Sequence, residues 1–246
     1  MNQRKKLGFV DIHTHILPGV DDGAANLSEA LKLLRMAWRD GTAGIVLTPH
    51  YRGKYRENTP EMLRACFEEL CREAEKELPG LRLYLGSEAA WERELGEKIA
   101  EGRVMTLHGS SYVLLEFDFG CLRSHVLDGI MDVVGCGYTP IIAHVERYDV
   151  FRKDKSLTDE VLAMGALLQL NADCVLGKRG FGLKRFCHRL LKHGQAHFIA
   201  SDAHDPADRP PLLRECFEYV SKRYGRDYAW VLLRDNPQAM LSGKWS

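Results

Sequence analysis

Seven short apolar runs recur along this chain, and each leads into a polar residue that could carry chemistry. The runs cover residues 7–12, 45–47, 81–86, 112–115, 140–143, 166–170 and 196–200. The polar residues at their ends are His13, His50, Glu88, Glu116, His144, Asn171 and Asp202, spaced 27 to 38 residues apart. That spacing fits a strand followed by a returning helix, so the pattern predicts a parallel sheet, most simply closed into a barrel.

Helix signals between the runs support this arrangement. A buried stripe that includes Leu31 and Leu34 follows Asn26 or Ser28 as the helix cap, and Thr59-Pro60 opens the next helix. We predict further helices near 91–100, 123–134, 211–222 and 227–234, the last ending before Asn236-Pro237, and a long polar loop over 148–160. No linker divides the chain, so residues 1–246 are expected to form one domain.

The densest group of candidate metal ligands is the segment Asp11-Ile12-His13-Thr14-His15. Period-two alternation would project Asp11, His13 and His15 to one side of a strand. Two imidazoles and a carboxylate there can hold a divalent metal, although a lone His-x-His is about as often a hydrogen-bonded core feature. Because similar residues end the other strands, and such ends share one face of a barrel, we predict a metal site.

Composition disfavours several function classes. Lys plus Arg and Asp plus Glu each number 34, so no global field attracts nucleic acid or an anionic membrane. The seven cysteines are scattered without a CxxC, which favours reduced thiols in a cytoplasmic protein over disulfides or a thiolate zinc site. No apolar run is long enough to suggest insertion into a membrane. The oligomeric state stays open.

Several motifs together resemble the polymerase and histidinol phosphatase (PHP) superfamily. They are Asp-Ile-His-Thr-His, Val-Asp-Asp-Gly, Thr-Pro-His, Gly-Ser-Glu, Leu-Leu-Glu-Phe, Ala-His-Val-Glu-Arg-Tyr and Ser-Asp-Ala-His, in the expected order from about Val10 to Pro237. The sequence is most similar to the bacterial manganese-dependent protein-tyrosine phosphatases of the CpsB/CapC type. This resemblance implies an α/β fold, a single-domain distorted (β/α)7 TIM-like barrel, with three metal ions on its C-terminal face.

The resemblance also implies roles for individual residues. The ligands of one metal would be His13, His15, Glu88 and Asp202. Those of a second would be Glu88, Glu116 and His144, with Glu88 bridging, and those of a third would be Asp22, His50 and His204. Arg147 and Arg209 match the phosphate-binding arginines. We expect Asp11 to orient a ligand histidine, with direct ligation as the alternative, and Asp21 to be solvated or turn-forming. At Arg52, which follows Pro49-His50-Tyr51, many relatives are richer in basic residues. This difference concerns the substrate contacts and not the metal site.

The predicted donor set has a definite chemistry. Nitrogen and oxygen ligands without sulfur suit manganese, iron or magnesium, with zinc also possible, and the resemblance implies manganese. Four carboxylates do not neutralise three divalent ions, and Arg147 and Arg209 add positive charge, which favours a dianionic phosphate monoester. A metal-activated hydroxide could attack the phosphorus. His204 could protonate the leaving phenolate if the metal leaves it free.

Three functions remain open. The first is hydrolysis of phosphotyrosine on a protein, for which the resemblance implies a bacterial tyrosine autokinase of capsule or exopolysaccharide biosynthesis as partner. The second is a small-molecule phosphatase of the histidinol-phosphatase kind, with a PHP-type nuclease as a weaker version that zero net charge disfavours. The third is a non-catalytic metal-binding regulatory module, which the complete ligand set disfavours.

Other polar features have plainer interpretations. The glycine-rich stretch 177–182 lacks the spacing of a phosphate loop and is predicted to be a loop before a helix, with Lys178 or Arg179 near the pocket rim. Tyr51 and Tyr55 could contact a phosphotyrosine ring. The remaining histidines are predicted to be structural or exposed: His108, His125, His188, His193 and His197.

Overall fold

The computed structural model describes residues 7–243, in which parallel strands alternate with helices. The strands are β1 (Phe9–Thr14), β2 (Thr42–Leu47), β3 (His50–Tyr51), β4 (Arg82–Leu85), β5 (Glu88–Ala90), β6 (Tyr112–Glu116), β7 (Thr139–Ile142), β8 (Leu167–Asn171) and β9 (Phe198–Ala200). The α-helices are α1 (Leu27–Asp40), α2 (Pro60–Glu77), α3 (Leu95–Ala100), α4 (Arg123–Gly135), α5 (Asp149–Lys153), α6 (Lys155–Ala163), α7 (Ala172–Leu176), α8 (Phe181–Lys192), α9 (Arg214–Tyr224), α10 (Arg226–Trp230) and α11 (Asn236–Leu241). Short 3-10 turns span Gly53–Glu57, Leu107–Gly109 and Val145–Arg147, and a π-helical turn spans Val231–Asp235.

The strand segments form one curled parallel sheet. β3 extends β2 and β5 extends β4, so the hydrogen-bonded order runs β1, β2/β3, β4/β5, β6, β7, β8, β9. The two ends of the sheet meet just past β9, where Thr14 bridges to Ala203. The His15 N–H donates to the Ala203 carbonyl at 2.7 Å, and the Asp202 N–H donates to the His13 carbonyl at 3.0 Å. The predicted α/β barrel-like fold is confirmed.

An apolar core inside the curled sheet positions the residues at its mouth. Side chains from around the ring pack together there, including Val46, Leu114, Ile141 and Phe198, and Met240 of α11 joins the same cluster. Because side chains alternate along a strand, Glu116 lies on the same face of β6 as Leu114. The inward faces are therefore apolar in the body of the sheet and polar at its C-terminal edge.

The helix starts predicted for the first two crossovers are confirmed. The Asn26 side chain caps α1 by accepting from the Glu29 N–H at 3.1 Å. The Thr59 hydroxyl caps α2 by accepting from the Met62 N–H, with Pro60 in the first turn. Both helices then bury apolar stripes against the sheet.

Three local predictions were wrong. Residues 148–160 are not a polar loop, because they contain α5 and most of α6, and Asp154 caps α6 by accepting from the Ser156 N–H at 2.9 Å. The helix predicted over 91–100 begins only at Leu95, the first residue of α3. The chain does not stop being helical at Asn236-Pro237, since α11 continues directly from the π-helical turn that precedes it, with Pro237 in its first turn.

Two further points concern the extent of the chain. Residues 1–6 and 244–246 of the predicted domain lie outside the described residues. Among residues 7–243, no helix has the length and hydropathy needed to cross a bilayer.

Candidate metal centre

Four of the predicted ligands meet at one buried point where the ends of the sheet come together. The His13 and His15 Nε2 atoms are 3.2 Å apart, and they lie 3.3 Å and 3.2 Å from the two Glu88 carboxylate oxygens. Asp202 Oδ1 is 3.4 Å from His13 Nε2 and 3.5 Å from His15 Nε2. Ligands about 2.1 Å from a tetrahedral ion lie roughly 3.4 Å apart, so this spacing suits one cation.

Glu88 connects this group to a second one. Its carboxylate oxygens lie 2.9 Å from His144 Nε2 and 2.8 Å from His50 Nδ1. Glu116 is further out, with 3.8 Å between its oxygens and each of those nitrogens. Glu88 therefore lies between these two groups of side chains, and His50 approaches this group as well as the one described next.

A third group lies on the outer side of His50. The half-exposed Asp22 carboxylate is 3.4 Å from His50 Nε2 and 3.6 Å from His204 Nε2. His15 is close enough to these three side chains to share an ion with them. All nine predicted metal ligands are thus brought into one continuous cluster.

The donor atoms suit divalent cations. His50 Nδ1 and Glu88 Oε2 are 2.8 Å apart and buried, yet neither has a hydrogen-bond partner among the described residues. An unsatisfied buried polar atom costs about 1–3 kcal/mol, and a cation bound beside Glu88 removes the cost of its oxygen by accepting a lone pair from it. Imidazole nitrogens and carboxylate oxygens without sulfur are ligands for the harder divalent metals.

The electrostatics of the cluster indicate the same requirement for positive charge. Burial alone would lower the pKa of His13, but Glu88 and Asp202 outweigh it and raise that pKa to about 9. Burial also lowers the pKa of His50, but the Glu88 carboxylate outweighs it and raises that pKa to about 11. The carboxylates therefore attract positive charge to the site, and divalent ions supply it while the imidazoles stay neutral.

Asp21 is a structural partner of the cluster, so the expectation that it is solvated was wrong. Its buried Oδ2 lies 2.7 Å from His15 Nδ1 and accepts from the His50 N–H at 3.1 Å. Its Oδ1 accepts from the Gly23 N–H at 3.0 Å, a contact that closes a turn, as the alternative prediction for Asp21 expected. A Cβ at Gly23 would lie 1.8 Å from the His15 carbonyl oxygen, so only glycine lets the loop fold back this closely.

The residue that orients His13 is Gln169, which sequence reasoning did not identify. Its Oε1 lies 3.0 Å from His13 Nδ1 and accepts from the His144 N–H at 2.8 Å. The Nδ1 proton of His13 is therefore held by an acceptor, and its Nε2 lone pair faces the cluster. Asp11 accepts from the Ser201 N–H at 3.0 Å and from the His13 backbone N–H at 3.5 Å, so it contacts a predicted ligand histidine through the backbone and not through the ring.

Two residues of the cluster have an uncommon backbone conformation. His144 has φ 32° and Asp202 has φ 54°, both in the left-handed region that non-glycine residues rarely occupy. Such a conformation costs on the order of 1–3 kcal/mol and persists only where surrounding contacts hold it. Here each follows the end of a strand and turns a ligand side chain into the mouth of the sheet.

A cavity of about 380 Å³ opens beside the cluster and contains both predicted arginines. Arg147 Nη1 donates to Asp202 Oδ2 at 3.2 Å, and Arg209 Nη1 lies 3.7 Å from the same oxygen. Asn171 Nδ2 also donates to it, at 2.9 Å. Arg179 lines the rim of this cavity, as predicted for Lys178 or Arg179. Asp202 thus faces the metal cluster with one oxygen and the two cavity arginines, Arg147 and Arg209, with the other.

Two more residues at the mouth were not predicted as part of the site. Arg52 Nη1 donates to both Glu116 oxygens, at 2.9 Å and 3.1 Å. Phe119 places its ring against Arg147, with 4.5 Å from the ring centroid to the guanidinium carbon, and stays 46% exposed. Strand alternation from His50 could have indicated Arg52, whereas nothing in the local sequence distinguishes Phe119.

The histidines predicted to be structural or exposed lie outside the ligand groups found among the described residues. His188 Nδ1 is 2.9 Å from the Tyr224 hydroxyl, and His197 Nδ1 accepts from the Leu168 N–H at 3.2 Å.

Comparison with known proteins places this site in a family. A family model described as "Capsular polysaccharide synthesis, CpsB/CapC" matches residues 9–242. The chain belongs to the CpsB/CapC family. It is 31% identical over 242 residues to the tyrosine-protein phosphatase CpsB of Streptococcus agalactiae, an alignment that covers 96% of this chain and 100% of that protein. It is also 31% identical over 233 residues to the tyrosine-protein phosphatase YwqE of Bacillus subtilis, covering 95% and 91%.

Solved structures of the CpsB/CapC family share the fold. The chain matches the crystal structures of YwqE from Bacillus subtilis and CpsB from Streptococcus pneumoniae, described as metal-dependent tyrosine phosphatases, with a TM-score of 0.90 and 30% identity. That match covers 96% of this chain and 95% of the solved one. A phosphotriesterase from Mycobacterium tuberculosis, 12% identical with a TM-score of 0.60, shares the fold alone. The ligand groups and the metal dependence of these relatives together support divalent-metal binding by this chain.

Proposed function

We propose that this chain is a protein-tyrosine phosphatase, a phosphoric monoester hydrolase that works with divalent ions held at the strand-end cluster. The observation that carries the proposal is the buried convergence of His13, His15, Glu88 and Asp202 at ligand spacing beside a cavity lined by Arg147 and Arg209. Membership in a family whose curated members are tyrosine-protein phosphatases supports the same chemistry.

We propose three metal positions, with manganese as the ion. The spacing of the donor atoms supports these sets, although His50 and His15 each lie close to two of them. The sets are His13, His15, Glu88 and Asp202; Glu88, Glu116 and His144; and Asp22, His50 and His204. Ions bound there would act as Lewis acids toward the phosphoryl oxygens and lower the pKa of water.

The two arginines are proposed to bind the phosphoryl group. Arg147 and Arg209 share Asp202 as an anchor, and each guanidinium keeps further N–H donors for oxygens in the cavity. Forked donors of this kind match the equatorial oxygens of a phosphoryl group, whose charge persists through a loose transition state. Asp202 thereby couples the position of the phosphate to the position of the ions.

His204 is proposed mainly as a ligand. Its Nδ1 donates to the Asp202 carbonyl at 2.9 Å, so in the neutral ring the lone pair lies on Nε2, facing Asp22 and His50. The second role predicted for it, protonation of the leaving group, stays a prediction. A phenolate leaves with little help, because the pKa of a tyrosine hydroxyl is about 10.

An aryl ester fits the mouth better than an alkyl ester. The exposed part of the Phe119 ring lies beside the Arg147 guanidinium. The same ring is edge-on to His144, with 6.0 Å between the Phe119 and His144 ring centroids. Tyr55 lies on another side of the cluster, stacked on His50 at 6.2 Å. Aromatic walls of this kind add about 0.5–1.5 kcal/mol to the binding of another ring. This observation favours phosphotyrosine over phosphoserine.

Membership in the family supports a proposal about the partner and the cellular setting. We propose a phosphorylated bacterial tyrosine kinase of capsule or exopolysaccharide biosynthesis as the substrate, supported by the description of the family model. We further propose that the protein acts in the cytoplasm, supported by its seven unpaired cysteines, and that residues 1–246 act as one domain.

The experiment that tests this function compares substrates on metal-reconstituted protein. Chelator-treated protein is loaded with manganese, iron, magnesium or zinc and assayed with a phosphotyrosine peptide, the matching phosphoserine peptide and histidinol phosphate. We expect manganese to support the highest turnover, with phosphotyrosine preferred. A strong preference for histidinol phosphate would replace the proposal with the small-molecule phosphatase. Metal binding without turnover of any ester would instead identify a regulatory module.

A further inference from the structure

A second, strongly basic cavity lies on the outer surface beside the phosphate cavity. It has a volume of about 530 Å³ and is lined by Arg152, Lys155, Arg185, Arg189, Gly182 and Phe186. These residues come from α5, α6 and one face of α8. Four cationic side chains around one cavity are unexpected in a protein whose net charge is zero. We call this cavity the basic groove.

The basic groove has few counter-charges of its own. Arg152 pairs with Asp149, and its other guanidinium nitrogen donates to the Glu146 carbonyl at 2.7 Å. Lys155 and Arg185 are exposed and have no ion pair within 4.0 Å among the described residues. Asp159 acts as a counter-charge to Arg189, so Lys155 and Arg185 are the two cations of the groove left without one among the described residues. An anionic ligand relieves the repulsion between such unmatched cations.

One aromatic ring lines the basic groove, and a second lies on the same face of α8 one turn from it. The Arg189 guanidinium lies 4.7 Å from the centroid of the Phe186 ring, which restrains it over the cavity floor. Phe181, four residues before Arg185 on the same helical face, is 77% exposed. Exposed aromatic rings beside arginines are typical of surfaces that bind protein chains.

The basic groove lies close to the phosphate cavity. Leu183 lines the phosphate cavity, while its neighbour Gly182 lines the basic groove, so the first turn of α8 separates the two. Arg152 contacts the backbone of Glu146, the residue before Arg147. A helix is about 10 Å across with its side chains, a distance that roughly three extended residues cover.

We propose that the basic groove binds an acidic stretch of the protein substrate that begins about three residues from the phosphotyrosine. This proposal rests on the phosphotyrosine activity proposed above and names what the enzyme recognises beyond the phosphorylated side chain. Glutamate and aspartate side chains pair with Lys155, Arg185 and Arg189, while the phosphotyrosine occupies the cavity of Arg147 and Arg209. The docked stretch lowers KM and leaves the chemical step at the metal cluster unaltered.

The test compares two phosphotyrosine peptides that differ only in charge. One carries four glutamates at positions three to six from the phosphotyrosine, and the other carries four glutamines there. We expect wild-type kcat/KM to favour the acidic peptide about 10-fold at low salt, through KM, since exposed ion pairs each contribute modestly and are screened by salt. The double variant Lys155→Glu/Arg185→Glu should reduce that ratio to about 1 or invert it.

A matched control reverses two exposed cations elsewhere. Lys32→Glu/Arg72→Glu, on α1 and α2, makes the same change in net charge and should keep the wild-type ratio. The proposal is overturned if wild type shows no preference, or if the two double variants change the ratio equally.

Binding measured without turnover separates this proposal from the proposed function. The acidic peptide with unmodified tyrosine is titrated against each protein by fluorescence anisotropy. We expect the Lys155→Glu/Arg185→Glu protein to bind several-fold more weakly than wild type and the control. Equal binding by all three proteins would refute the proposed role of the basic groove even if phosphotyrosine is hydrolysed. Weaker binding by the Lys155→Glu/Arg185→Glu protein alone would support that role even if hydrolysis fails.

Discussion

Replacing Asp21 with asparagine tests how the metal cluster is held together. The carboxylate accepts three hydrogen bonds, from His15 Nδ1 at 2.7 Å, the His50 N–H at 3.1 Å and the Gly23 N–H at 3.0 Å. Asparagine has the same shape but only one accepting end. In one orientation its NH₂ faces the Gly23 N–H, and in the other it faces both His15 and His50.

Each orientation has a calculable consequence. When the NH₂ faces His15, the proton of that imidazole moves to Nε2, and the lone pair that would bind a metal is lost. When it faces Gly23, a backbone donor is left unsatisfied, at about 1–3 kcal/mol. Loss of such a partner of a ligand histidine typically costs about 10–100-fold in metal affinity, which equals roughly 1.4–2.8 kcal/mol.

The assay is a manganese titration of chelator-treated Asp21→Asn protein in competition with a metal indicator, together with urea unfolding of the metal-free protein. We expect weaker manganese binding by at least about 10-fold or a loss of stability of about 1 kcal/mol or more. Asp128→Asn, at an exposed position on α4, removes the same charge and serves as the control. Affinity and stability both matching that control would refute the assignment of Asp21 as the residue that fixes His15.

Three further predictions follow from contacts at the site and elsewhere in the fold. Arg147→Ala should lower kcat by about 100-fold or more while manganese content, measured by atomic emission, is kept; normal turnover would remove its phosphate-binding role. Tyr148→Phe deletes the buried hydroxyl that accepts from the Phe117 N–H at 3.0 Å, and urea unfolding should show a loss of about 1–3 kcal/mol; unchanged stability would contradict this. Burial lowers the pKa of His197 to about 4, so its stabilisation is complete above pH 6.5 and is lost toward pH 4, by roughly 3 kcal/mol. His197→Asn should therefore flatten the unfolding free energy over that range, and parallel pH curves for the two proteins would count against it.

The metal cluster and the basic groove divide substrate recognition between them in these proposals. The cluster with Arg147 and Arg209 recognises what every phosphate monoester shares, a compact dianion. Phe119 and Tyr55 offer aromatic surface to the leaving group, and the basic groove binds acidic residues further along the substrate chain. Selectivity among phosphoproteins then depends on surfaces outside the metal site.

Much of the fold could be predicted because its signals are local. Asn26 and Thr59 cap their helices within three residues, and apolar runs ending in polar residues mark the strands wherever they pair. The predictions failed where the signal was short or ambiguous. Residues 149–163 form two brief helices whose polar composition resembles a loop, and α11 carries a proline in its first turn.

The sequence by itself determined which residues reach the mouth of the sheet, because strand ends follow from alternation and spacing along one segment. It did not determine how those residues are held. Asp21 contacts His50, Gln169 contacts His13 and Phe119 contacts Arg147, and each pair joins segments that lie 28 to 156 residues apart. Only the pairing of strands around the barrel brings such residues within hydrogen-bonding or stacking distance, so the partners of the predicted ligands were decided by tertiary structure.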